Sequence, residues 1–92
     1  MRLDDLRRQI DDLDVALADL LCRRADIVRQ IGEAKREQQT PIHDQEREAK
    51  VLAHVGGLAR GPLSGENLKR IFREIMAVCT GIQENTKPRR RE

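Results

Sequence analysis

From residue 3 the apolar positions fall at alternating steps of three and four: Leu3, Leu6, Ile10, Leu13, Leu17 and Leu20, resumed by Ile27, Ile31 and Ala34. This spacing gathers them on one stripe of an α-helix, in the manner of a coiled-coil seam. No proline or glycine interrupts the stretch before Gly32, so it predicts one long helix over about the first 35 residues. About 32 residues at ~1.5 Å each make a rod of roughly 48 Å. A compact chain of 92 residues is narrower than that. The remaining sequence is too short to cover such a rod, so a second copy of the chain is the expected cover.

Two breaks follow. Pro41 disfavours helix at Thr40, and Asp44 then stands ready to cap a second helix whose apolar residues are Ala49, Val51, Leu52, Val55 and Leu58. That helix fades at Gly56-Gly57. After Arg60-Gly61-Pro62-Leu63, Ser64 is a good N-cap and Glu66 sits favourably in the first turn of a third helix. Its apolar face is Leu68, Ile71, Phe72, Ile75, Met76, Cys79 and Ile82, and Pro88 ends the ordered chain. The fold class expected is all-α, with three helices per chain, a long first helix and a homodimer. One domain over residues 1–86 and a basic tail over 87–92, disordered or part of a linker, complete the organisation.

Composition supports the helical reading: Phe72 is the one aromatic residue and 37% of the chain is charged, where a β-sandwich would need aromatic and β-branched runs. The net charge is +2, but it comes from the arginine-rich end, so the body is not basic. With no aromatic platforms among its arginines, a nucleic-acid-binding body is disfavoured. Cys22 and Cys79 have no paired spacing, and His43 and His54 lack ligand-like partners, so neither a disulfide framework nor a metal site is expected. No apolar run approaches a membrane span, and a cytoplasmic protein is the expectation.

One residue breaks the seam. Its alternation calls for an apolar side chain at position 24 and finds Arg24. A permanent charge on an interior stripe needs an anion to meet it: either an acid from a facing helix or a bound ligand. Arg7 and Lys35 flank the same stripe one step round, near opposite ends of the helix and about 42 Å apart. Within one chain they cannot share a ligand, whereas in an antiparallel or intertwined pair Arg7 can reach the Arg24–Lys35 end of its partner. The second helix opens on Asp44, Glu46, Arg47 and Glu48, and the third sets Cys79 and Gln83 one turn apart. No nucleophile arrangement and no glycine-rich phosphate loop is present.

Taken together, Leu6-Arg7-Arg8-Gln9-Ile10-Asp11-Asp12-Leu13-Asp14, Leu20-Leu21-Cys22-Arg23-Arg24, Ile31-Gly32-Glu33-Ala34-Lys35, Pro41-Ile42-His43-Asp44-Gln45-Glu46-Arg47-Glu48 and Ile71-Phe72-Arg73-Glu74-Ile75-Met76 resemble, in order and spacing, the all-α (type II) chorismate mutase family. The resemblance covers roughly residues 3–84. It implies an intertwined dimer and the cofactor-free, metal-free rearrangement of chorismate to prephenate. It also implies site roles. Arg7 from the partner chain and Arg24 would grip carboxylates, and Lys35 would bond the ether oxygen and a carboxylate. Asp44 and Glu48 would hold the ring hydroxyl with Arg47 supporting them, and Gln83 would make a second contact to the ether oxygen. Lys35, Gln83, Arg24 and Glu48 are the catalytic candidates. Cys79 stands where a serine often helps bind a carboxylate, and a thiol is a weaker donor. Relatives of this kind occur alone or fused to prephenate-processing or aldolase modules. An isochorismate–pyruvate lyase of the same fold, or a non-catalytic helical dimerisation module, would share the helical pattern. The module would be expected to keep an apolar seam, or to carry there a polar residue paired with its own symmetry mate.

Overall fold

The computed structural model describes residues 2–86, which form three helices: α1 (Leu3–Glu37), α2 (Gln45–Gly56) and α3 (Gly65–Asn85). All three expected helices are present. The basic stretch 87–92 lies outside the described residues. Asp44 and Ser64 cap as anticipated: Asp44 Oδ1 accepts from the Arg47 amide at 3.0 Å and Ser64 Oγ from the Asn67 amide at 3.1 Å. Each bond satisfies one of the amides that a helix start leaves without a partner.

The end of α1 is sharper than its sequence advertises. The Thr40 amide donates to the Lys35 carbonyl at 2.8 Å and the Gln39 amide to the Arg36 carbonyl at 3.3 Å. These are the paired bonds of a Schellman motif. The motif needs a left-handed residue, and Gln39 supplies it with φ 56°, a conformation in which its Cβ is crowded. The helix thereby stops cleanly beyond Lys35 and releases the chain toward Pro41.

Helix α3 packs on both α1 and α2, which do not pack on each other. At the α2–α3 corner a Cβ on Gly65 would stand 2.9 Å from the Gly56 carbonyl oxygen, so the two helices meet there backbone to backbone. Leu58, counted above with α2, lies past the helix end and is exposed; its amide closes a turn on the Val55 carbonyl.

The core of the single chain is small: among the described residues Val28, Val55, Met76 and Cys79 are its buried apolar members. On α1 the face against α3 is the row through Val28 and Gly32, beside the leucine seam rather than on it. Most of the seam points away, and Leu3, Leu6, Ile10, Leu13, Leu17, Leu20, Ile27 and Ile31 remain 42–60% exposed. Burying one such side chain fully is worth ~1.5–3 kcal/mol. Even half of that over eight residues rivals the ~5–15 kcal/mol that stabilises a whole domain. The molecule measures 57 × 29 × 15 Å, with a radius of gyration of 16.7 Å against about 12 Å for a compact chain of this length. Among the described residues no helix is long and apolar enough to cross a membrane.

The strained cap at Gln39 yields a prediction. Gln39→Gly should stabilise the fold by about 0.5–1 kcal/mol, since glycine adopts positive φ without the Cβ clash and offsets its own entropy cost. Urea unfolding at fixed protein concentration measures this, and a lower midpoint for the glycine variant would contradict it.

Candidate active site

The α1–α2 loop, the first turn of α2, the C-terminal half of α1 and the end of α3 enclose a cleft of about 250 Å³. Seven of the eight residues singled out in the sequence line it: Arg24, Lys35, Asp44, Arg47, Glu48, Cys79 and Gln83. Helical periodicity explains the convergence. Arg24 and Lys35 are eleven residues apart, about three turns, and so share a face of α1. Val28 and Ile31 stand between them as an apolar floor. Asp44, Arg47 and Glu48 project together from one turn of α2, and Cys79 and Gln83 from successive turns of α3. Arg7 is not in the cleft of its own chain; it is exposed near the far end of α1.

The charges are left open. Arg24 Nη1 donates to Cys79 Sγ at 3.1 Å, so the buried thiol acts as an acceptor that orients the guanidinium. Lys35 Nζ donates to the Ile42 carbonyl at 3.1 Å, tying the loop to α1. Among the described residues no carboxylate pairs with Arg24, Lys35 or Arg47. An intrachain ion pair as the reason for Arg24 is therefore set aside. Three cations and two carboxylates leave the cleft with a net positive charge, partly shielded from water. A small anion is the natural counterpart of that arrangement.

Gln83 adds a second open group: its Oε1 is buried with no hydrogen-bond partner among the described residues. Such an atom costs about 1–3 kcal/mol, an expense more usual at a ligand site than in a core. Thr80 also lines the cleft. Sequence reasoning passed over it, although its place one turn before Gln83 was a signal. The Ile42 carbonyl is a backbone group and carries no signature in sequence. Gly32 was noted as the end of an uninterrupted run and within a motif of the resemblance, with no structural role assigned to it. A Cβ there would lie 3.2 Å from both Gln83 Cα and Thr86 Cβ, so glycine lets the last turn of α3 close on α1. Among the described residues no cluster of His, Cys, Asp and Glu could hold a metal ion; His43 instead pairs through Nε2 with Glu84 Oε1 at 2.9 Å.

A long helix, a two-helix hairpin folded against one end of it and a cleft at their junction lined by three cations and two carboxylates define the protein as an all-helical one with an open, net-positive cleft. Residues 6–84 match the family model "Chorismate mutase type II", and the chain belongs to that family. It is 35% identical over 88 residues to a bifunctional chorismate mutase/prephenate dehydratase from Stutzerimonas stutzeri, an alignment covering 90% of this chain and 24% of that protein. The chain thus spans about a quarter of the length of the curated relatives it matches first. Among solved structures, the form II chorismate mutase of Thermus thermophilus superposes with a TM-score of 0.90 at 28% identity, covering 95% of this chain and 99% of that one. The Helicobacter pylori chorismate mutase in complex with prephenate gives 0.82 at 34% identity, with 91% of each chain covered.

The close approach at Gly32 is testable. Gly32→Val should destabilise the fold by about 1–3 kcal/mol, because the neighbour it meets is backbone and cannot swing aside. Urea denaturation reads the difference. A variant as stable as the parent would mean that α3 does not depend on this contact.

Proposed function

We propose that the chain is a cytoplasmic chorismate mutase, an isomerase that converts chorismate to prephenate. The observation that carries this reading is the set of unpaired cations, Arg24, Lys35 and Arg47, gathered round an apolar floor with Gln83 beside them. Chorismate has two carboxylates and an ether bridge between ring and side arm. In the rearrangement the ether C–O bond breaks as a C–C bond forms between arm and ring. All atoms are kept, no proton is transferred and no electrons leave the molecule.

The chemistry asks for two things: the arm held over the ring in a near-attack geometry, and stabilisation of negative charge growing on the ether oxygen. Arg24, steadied by Cys79, grips one carboxylate in a charge-assisted contact. Lys35 bonds the ether oxygen and a carboxylate, and the amide of Gln83 donates to the same oxygen, a preorganised electrostatic contribution to the transition state. Asp44 and Glu48 receive the ring hydroxyl, and Arg47 supports that end of the cleft. Arg7 serves the cleft of a second copy. The exposed seam of α1 supports an intertwined homodimer in which each long helix lies across its partner and carries Arg7 to the other subunit's cleft. In a bifunctional setting like that of the Stutzerimonas relative, a prephenate-processing module would consume the product.

The direct test is chorismate depletion by the purified chain with prephenate identified among the products. Turnover well above the spontaneous rate is expected; isochorismate cleavage to pyruvate in its place would reassign the cleft to a lyase. Lys35→Ala and Arg24→Ala should each lower kcat/KM by about 10²–10³ while the chain stays folded, the scale of losing one oxyanion donor. Near-parental turnover in either would overturn the assigned roles. Mixing inactive Arg7→Ala chains with inactive Lys35→Ala chains should restore part of the activity, since half the sites of a mixed dimer then carry neither change. Absence of rescue after verified chain exchange would count against a shared site.

A further inference from the structure

The end of α3 presents a mechanical problem. Gln83 lies two residues before the last residue of its helix, Asn85, where carbonyls lack intrahelical partners and the backbone opens most readily. A group required at a fixed position is thus mounted on the least secure turn. Helix α3 has no basic side chain of its own in that turn to meet its carbonyls. Arg36, from the end of α1, fills this need. Its Nε donates to the Thr86 carbonyl at 3.1 Å and its Nη2 to the Glu84 carbonyl at 2.5 Å. One planar guanidinium thus spans the two carbonyls that flank the helix end, and sets a positive charge at the negative end of the helix dipole.

Three further contacts converge on the same turn. Gly32, one turn before Arg36, allows backbone approach to Gln83. Thr86 Oγ1 donates to the Ile82 carbonyl at 2.6 Å, and His43 joins Glu84 from the α1–α2 loop. The chain order gives the arrangement its meaning. Lys35 precedes Arg36 and Gln83 precedes Glu84, so each cleft group is covalently next to a member of the contact. Arg36 itself is exposed and does not line the cleft. Its hydrogen bonds reach the cleft through the backbone of Glu84 and Thr86.

We propose that Arg36 is a positioning residue: a guanidinium bracket across the end of α3 that holds Gln83 in register with Lys35. The activity arm of its test rests on the mutase reading above; the exchange arm does not. Arg36→Ala should lower kcat about five- to twentyfold with KM changed less than about twofold, as expected when a contact made chiefly in the transition state is loosened. Arg36→Lys, which keeps the charge but loses the planar fork, should fall between the two. In a Gln83→Ala background the Arg36→Ala change should alter kcat by less than about twofold, because residues acting through one another are not additive. Independently of activity, the amides of residues 82–85 should exchange hydrogen at least about tenfold faster in Arg36→Ala, with those of α2 unchanged. Unchanged exchange at residues 82–85 would overturn the bracket. A loss in kcat that multiplies with that of Gln83→Ala would overturn its action through Gln83. If the parent chain does not turn over chorismate, the mutase reading fails and the exchange measurement alone decides whether the bracket exists.

Discussion

A helix of 35 residues extends for about 52 Å, and among the described residues two shorter helices are all there is to cover it. Helix α3 takes one row of α1, through Val28 and Gly32, and leaves the richer leucine row in water. The shortage of cover shapes the remainder of the molecule. It makes the single chain elongated and, among the described residues, limits its buried apolar core to four side chains. It also confines tertiary contact to the C-terminal half of α1, and the cleft forms there because there alone three segments come together.

The cleft inherits its rigidity from these elements. Arg24 and Lys35 are carried on a continuous helix, so their separation is set by backbone hydrogen bonds rather than by loop conformation. The Schellman turn at Gln39 and the Lys35–Ile42 contact define how the chain leaves that helix and where the first turn of α2 begins. Arg24, Lys35 and Arg47 share the cleft with only two carboxylates, Asp44 and Glu48, so its donors are held in place by the helices that carry them and not by ion pairs with those acids.

Much of this was legible in the sequence, for reasons that can be named. The three helices follow from apolar periodicity, and two of their starts from Asp44 and Ser64, because capping is local chemistry. Arg24 stood out because it broke a pattern. The cleft members of α2 and α3 came from family resemblance, since single charged residues in a helix's first turn or boundary are ordinary on their own. What escaped depended on distant backbone. The bonds from Arg36 to Glu84 and Thr86 join residues about fifty positions apart, and their acceptors are carbonyls that every residue possesses. Nor could spacing reveal that Cys79 would accept from Arg24, or that Gln39 would adopt a conformation more natural to glycine.

The uncovered stripe of α1 also bears on how the protein is made. Helix α1 precedes α3 in the chain, so its apolar residues are synthesised well before α3 exists to shield even the neighbouring row. Between its leucines the same stretch carries Asp4, Asp5, Asp11, Asp12, Asp14 and Asp19. Acidic residues flanking an unavoidable apolar run act as gatekeepers against promiscuous association. The aspartates thus keep a sticky nascent rod dispersed during the interval in which nothing specific has yet closed over it.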